Sequence, residues 1–236
     1  MNDSDNPQNP TQPAAMIDAV LRKEKNWESL WFYQKTVVLY QLTYVFTNRF
    51  LAKHGDRTVD QMVQAARSGK QNIVEGMADG VTSMELELKL INVARSSLKE
   101  LREDFEDYLL SRHLARWQKG HPRYDKMVDY CRQHNKLEDY ESFFYRWDHE
   151  EMANTALSLC HYVDKMMKTY EHWLEKDFQE NGGIRERMTA ARLGYRNIQK
   201  ALLDSKEREI ERLRMENKNL RAEVQRLREL LANQNS

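Results

Sequence analysis

Apolar residues recur at spacings of three and four along most of this chain, and the rhythm is cleanest near its C-terminal end. Ile210, Leu213, Asn217, Leu220, Val224, Leu227 and Leu231 occupy alternating a and d positions of successive heptads, with Leu at every d. The flanks follow the same register: Glu209, Glu216 and Glu223 fall at g, and Arg214, Arg221 and Arg228 fall at e. In a parallel, in-register pair each g Glu meets the e Arg of the other strand. A single Asn at an a position costs stability, but it fixes register and favours two strands. The pattern predicts a short parallel coiled coil over 201–233 and a chain that pairs with itself.

Four longer amphipathic segments precede it. The first runs from about Ser29 to Lys53, with Leu30, Tyr33, Val37, Tyr40, Tyr44, Thr47 and Leu51 in one stripe and Val38, Leu42 and Val45 widening it. His54-Gly55-Asp56 is its stop. The second runs from an N-cap at Thr58 to Asp79, facing inward with Val59, Met62, Ala66, Gly69, Ile73 and Met77. The third starts at Thr82-Ser83, where Glu85 gives a capping-box pattern. It lines one face with Leu86, Leu90, Val93, Ser97, Leu101, Phe105 and Tyr108. The fourth starts near Asp148 and carries Met152, Ala156, Leu159, Val163, Met166, Tyr170 and Trp173 before Asn181-Gly182-Gly183 ends it. Such stripes, joined by short turns, bury themselves against one another. The predicted fold is all-α: an up-and-down antiparallel four-helix bundle over 14–180, with a C-terminal helical extension and the coiled coil beyond.

Outside the stripes the readings are looser. Residues 1–13 are rich in Asn, Pro, Gln and Asp and read as disordered, and a short helix is expected from Ala14 to Asn26. Residues 113–147 break the rhythm with Gly120, Pro122 and many aromatics, an inserted excursion between the third and fourth segments. A short helix is expected there near Tyr124–Gln133, and Tyr140, Phe143, Phe144, Tyr145 and Trp147 read as a lid over one end of the bundle or as a docking patch. Asn181-Gly182-Gly183 reads as a hinge, followed by a basic helical connector over 181–200 with Gly194 as its weak point.

Composition sharpens this picture. Prolines stand only at 7, 10, 13 and 122, so nothing forbids helix over the long stretches between and beyond. Net charge is zero, but residues 181–236 hold 13 Lys+Arg against 8 Asp+Glu. The rest of the chain is therefore acidic, and a general nucleic-acid-binding surface is not expected from charge. Two distant cysteines, Cys131 and Cys160, make no disulfide framework and imply a reducing compartment. The N-terminus lacks the features of a signal peptide, and Leu30–Phe50 is too polar to span a bilayer, so a cytoplasmic protein with no membrane partner is expected.

At the second segment the residues take on a family look. QMVQAARSGKQNIVEG, residues 61–76, resembles the signature Q-L-R-R-A-A-x-S-I-P-x-N-I-A-E-G of the four-helix-bundle family of the 23S rRNA intervening-sequence proteins. Gln61, Ala65, Ala66, Ser68, Asn72, Ile73, Glu75 and Gly76 match it. VARSSLKEL at 93–101 resembles a second family pattern, I-A-x-x-S-L-x-E-L, through Ala94, Ser97, Leu98, Glu100 and Leu101. The bundle followed by a GGIRERMTAAR tail is similar to the family variant with a C-terminal suffix domain. The resemblance implies a small bacterial helical protein, a ring-shaped homo-oligomer without enzymatic activity. It also implies relatives that assist reverse transcriptases by contacting nucleic acid through a basic bundle surface. This chain has Val63-Gln64 where the family has Arg-Arg, Lys70 where it has Pro, an acidic bundle, and an added zipper.

Several further groupings of residues are of types that can carry chemistry. Asn72, Glu75, Ser97 and Glu100 sit at i, i+3 spacing on neighbouring segments and read as a polar layer, inside the bundle or between protomers. A di-metal site would need Glu-x-x-His, and the second segment has no His there. Cys131-x-x-His134 and Cys160-His161 are zinc-ligand types, but adjacent residues point to different faces of a helix. His149-Glu150-Glu151 is not HExxH, because Ala153 occupies the last position. With no phosphate loop and no nucleophile elbow, no catalytic residue, metal or cofactor is expected. The expected function is a non-enzymatic, self-associating adaptor or scaffold. The alternative is a nucleic-acid-binding accessory protein, touching RNA, DNA or a nucleic-acid enzyme through Arg185, Arg187, Arg192, Arg196 and Lys200.

Overall fold

The computed structural model describes residues 20–51 and 57–234. Six α-helices follow in order among these residues: α1 (Trp31–Phe50), α2 (Arg57–Asp79), α3 (Met84–Ser111), α4 (Tyr124–Gln133), α5 (His149–Asn181) and α6 (Ile184–Gln234). Three single 3-10 turns, Trp27–Ser29, Leu137–Asp139 and Glu141–Phe143, join them, and the described residues contain no strand. The chain divides into two units, 1–184 and 185–236. None of the helices is long and apolar enough to cross a membrane.

Within the first unit, α1 packs on α2 and α5, and α3 packs on the same two helices, while α4 lies on α5. The α2–α3 contact is the most extensive, and its closeness has a sequence cause. A Cβ at Gly69 would stand 2.5 Å from Leu98 Cδ2, and one at Gly76 would stand 3.2 Å from Leu90 Cβ. Gly69 therefore admits the Leu98 side chain against bare backbone, and Gly80 does the same for the Glu87 carboxylate. The pairings 69 with 98, 76 with 90 and 80 with 87 make the two helices antiparallel. The turn between them is closed by amides of Gly80 to Gly76 O (2.9 Å) and of Ser83 to Asp79 O (2.9 Å). Ser83 then caps α3, accepting from Leu86 N at 3.2 Å.

The expected faces are right for α2 and need correction elsewhere. Met62, Ala66, Gly69, Ile73 and Met77 are buried, as the α2 stripe predicts. In α1 the core face is instead Phe32, Lys35, Val38, Leu39, Leu42 and Phe46, while Tyr33, Val37 and Tyr40 are half-buried and Tyr44 is exposed. That segment is apolar on nearly every side, so spacing alone leaves its rotation open. Three threonines share this face without loss, because Thr36, Thr43 and Thr47 donate to carbonyls of their own helix, Tyr33, Leu39 and Tyr44. In α3 the inward set is Met84, Glu87, Ile91, Ala94 and Leu98, then Leu101, Phe105 and Tyr108. Leu86 and Val93 are exposed. A buried carboxylate at Glu87 displaced the expected phase by one residue. In α5 the expected set holds through Val163, after which Met167 and Leu174 are buried in place of Met166 and Trp173.

Boundaries shift for similar reasons. The expected helix over 14–26 is absent from residues 22–26, where Arg22 N bonds Val81 O at 3.3 Å and Asn26 is non-helical; residues 14–19 lie outside the described set. α1 starts at Trp31 rather than Ser29, since Leu30 is extended, and its expected stop at His54-Gly55-Asp56 also lies outside. Thr58 falls within the first turn of α2 rather than at a cap. The capping box belongs to α5, where Asp148 and Glu151 close it reciprocally, and not to Ser83 and Glu85. α4 matches the expected span, Tyr124–Gln133. The excursion that holds it does not cap one end. Lys35 donates to Cys131 O and His134 O, while Arg49 donates to Phe144 O and Trp147 O. These anchors are separated by about 21 Å of α1, so the excursion runs along its flank.

Candidate functional site: the exposed seam of the C-terminal helix

α6 is one uninterrupted helix of 51 residues, with Gly194 inside it rather than at a break. Gly182, at φ 66, ends α5 just before it. Along α6 the heptad residues Ile210, Leu213, Leu220, Val224, Leu227 and Leu231 are between 46% and 59% exposed, and Asn217 is exposed among them. Within residues 185–234, then, the seam has no cover. A lone helix draws little stability from its own hydrogen bonds, and an apolar stripe in water adds none. Glu209 is engaged within the helix by Arg212, at 2.6 and 2.9 Å, and hydrogen bonds from Arg212 hold its carboxyl below the usual range. Such a fully exposed pair is readily exchanged for another arginine. In the connector, Arg185, Arg192, Arg196 and Lys200 are exposed and Arg187 is half-buried.

The motif residues on α2 and α3 are brought together only in part. Ser68 Oγ and Ser97 Oγ lie 2.9 Å apart, and Asn72 Nδ2 donates to Ser68 O at 2.9 Å and to Ser68 Oγ at 3.2 Å. Glu75 and Glu100 are exposed, so the expected four-residue layer does not form inside this chain. Helix rotation is the reason: with Ile73 and Gly76 turned inward, Glu75 faces outward. Glu100 instead borders a polar groove with Arg57, Asp60, Gln64 and Asp104.

Three polar clusters, two of them centred on buried charges, escaped the sequence reading. Glu87 is fully buried and accepts from Arg22 Nη1 (2.6 Å), Lys25 Nζ (2.6 Å) and the Tyr170 hydroxyl. Burial lowers the Lys25 ammonium, against the pull of Glu87, and burial beside that carboxylate pushes the Tyr170 phenol far up. Arg22 also reaches Asp177 at 3.2 Å, which pins residues 22–25 to α3 and α5. Lys35 is fully buried with two carbonyls for partners, and burial pushes its ammonium down to about 8. Arg95 forks between Asp164 and Glu171, at 3.0 and 2.5 Å, and clasps α3 to α5. For Lys35 the available signal was a lone charge within an apolar run; Glu87 and Arg95 offered none.

Burial pushes the thiols of Cys131 and Cys160 up to about 12, which leaves them protonated and inert as nucleophiles. Among the described residues no three His, Cys, Asp or Glu side chains gather to hold a metal ion. Comparison with family models, with curated proteins and with solved structures returns no match.

Proposed function

We propose that this chain is a self-associating helical adaptor, built as an up-and-down four-helix bundle of α1, α2, α3 and α5 that carries a parallel two-stranded coiled coil on α6. The observation that carries this reading is the uncovered heptad seam of Ile210, Leu213, Leu220, Val224, Leu227 and Leu231. Each large side chain moved from water into a packed seam gains roughly 1.5–3 kcal/mol. The occupant is a second copy, because Glu209, Glu216 and Glu223 complement Arg214, Arg221 and Arg228 only when an identical helix lies alongside in register. The motif residues of α2 and α3 support membership of the intervening-sequence protein family, with the bundle as a rigid platform in a reducing cytoplasm.

Light scattering on the full chain tests this directly. The parent protein is expected to be at least dimeric, and Leu213→Glu with Leu220→Glu is expected to yield monomers with reduced helicity and an intact bundle. A parent that is monomeric at every concentration would remove the reading.

The basic side chains of the connector favour a second role, as a nucleic-acid accessory protein using the exposed Arg185, Arg192, Arg196 and Lys200 and the half-buried Arg187. Gel shifts with RNA and DNA decide it: retardation that fades steeply as salt rises supports it, and none at low salt removes it.

A further inference from the structure

We propose that the cleft between the 113–147 excursion and the start of α5 binds a small, flat aromatic carboxylate. Its ring lies against the aromatic walls and bonds the Thr155 hydroxyl, and its acid group meets Lys126. The site lies wholly within residues 117–155, so it stands or fails independently of the coiled coil. The cleft holds about 270 Å³ and is walled by Trp117, Met127, Tyr130, Phe143 and Trp147. A cavity of roughly 150 Å³ accepts benzene, so this one has room for a pair of fused rings or for one ring with a short acid arm. The walls are held by contacts of their own. Trp117 stacks on His121 at 4.7 Å, Tyr130 on His134 at 3.9 Å and Trp147 on Phe143 at 5.2 Å. The Trp117 indole N–H already donates to Glu150 at 2.6 Å, and the Tyr130 hydroxyl to Asp139 O at 2.6 Å. What these two residues offer an occupant is therefore ring surface, which suits a flat ring.

Thr155 supplies the directional contact. It lines the cleft from α5, it is 3% exposed, and its hydroxyl has no hydrogen-bond partner among the described residues. Helical threonines usually spend that capacity on their own helix, as Thr169 of α5 does by donating to Lys165 O at 3.1 Å. Thr155 keeps it, at a depth that an occupant of the cleft reaches. A ligand with a ring N–H or hydroxyl completes the bond.

Charge selects an acid. Glu151 also lines the cleft, but both its oxygens are taken, one by Arg123 at 3.0 Å and the other by the Asp148 amide at 3.3 Å. Arg123 also stands over the Trp117 ring, 5.7 Å from its centre. Lys126 is exposed at the cleft and has no acidic partner among the described residues. The mouth therefore carries a positive charge without a counter-ion. It attracts an anion, and together with Arg123 it turns away a cation that the rings would otherwise suit.

The test titrates the full chain with indole-3-acetate as the probe, followed by calorimetry and by methionine-methyl NMR. Saturable binding is expected, weakened about tenfold by Lys126→Glu, a substitution at an exposed position that leaves the fold alone. Indole-3-acetamide, which keeps the ring and lacks the charge, should bind about fivefold or more weakly. Thr155→Val keeps the side-chain shape, and it should weaken indole-3-acetate about threefold to tenfold while leaving naphthalene-1-acetate, which has no ring N–H, unchanged. The methyl resonance of Met127, identified by its loss in Met127→Leu, should shift during the titration. No saturable binding up to about 5 mM probe overturns the proposal, as does binding indifferent to both Lys126→Glu and Thr155→Val. Equal affinity for the acid and its amide overturns the choice of an anion, and equal weakening of both acids by Thr155→Val overturns the role of the hydroxyl. Binding that leaves Met127 unmoved places the probe elsewhere and overturns the site. Adenosine monophosphate binding more tightly than the probe would assign the cleft to a nucleotide, which also overturns it.

Discussion

The unit ending at Ile184 and the helix that follows are written in the same alphabet of three-and-four spacing, yet they meet water in opposite ways. In the first unit Leu39, Leu42, Met62, Ile91, Leu101, Leu159 and Val163 are all completely buried by neighbouring helices. In the second, every heptad leucine remains about half exposed. The difference lies in the number of stripes, not in their quality. Several apolar faces in one unit can satisfy one another, while the single heptad face has no second stripe within residues 185–234 to pack on. The polar residues diverge as well. Glu87, Lys35 and Arg95 are drawn into the interior with partners already supplied, whereas Glu209 and its fellow charges stay in solvent, free to be re-paired.

The largest expected effect breaks the first side of this contrast. Glu87→Ala would strand Arg22, Lys25 and the Tyr170 hydroxyl without their shared acceptor, and a loss of about 3–5 kcal/mol is expected in urea melts. A loss below about 1 kcal/mol would mean that the cluster adds little to stability. Next, Gly69→Ala forces the Leu98 side chain to move, with an overpacking cost of about 1–3 kcal/mol. A better helix propensity offsets roughly 1 kcal/mol of that, so modest net destabilisation is expected in the same melts.

The second side is sharpened by Asn217→Val, which should stabilise the seam thermally while loosening the choice of oligomer, as read by circular dichroism and sedimentation. Destabilisation would contradict the assigned register. The effect of Lys35 is confined to alkaline pH. Its ammonium is pushed down to about 8 by burial, against the ordinary 10.5 of the unfolded chain. Between these two values the unfolded state holds more protons, so this group makes stability rise with pH from 8 to 10.5. Lys35→Met should remove that rise, and the difference between the two proteins across this window isolates it from the tyrosines.

How much could be read beforehand varied with the degeneracy of each segment. α2 has one apolar face and polar residues elsewhere, so its inward set was legible, as was α4 with its bounding Gly120 and Pro122 upstream. α1 mixes Tyr, Val, Leu and Phe around its circumference, and only its neighbours decide which of them turn inward. Glu87 and Lys35 were illegible for another reason: their partners are remote in sequence, and Glu87, flanked by Glu85 and Lys89, reads as one more solvent-facing charge until its counter-groups are seen. The same limit applied to Glu75, whose outward direction depends on a helix rotation that spacing left open. That α6 is helical through its heptads was legible, because no Gly or Pro interrupts the chain after Gly194.

The anchorage of residues 22–25 also imposes an order of events on synthesis. Arg22 waits 65 residues for Glu87, and Lys25 waits 145 for Tyr170, so both emerge from the ribosome long before either acceptor exists. The first described stretch of the chain is therefore among the last to lock. A nascent protein stalled before Tyr170 could hold this end only through Gly80, Val81 and Glu87 of the already closed hairpin of α2 and α3, without its contacts to α5.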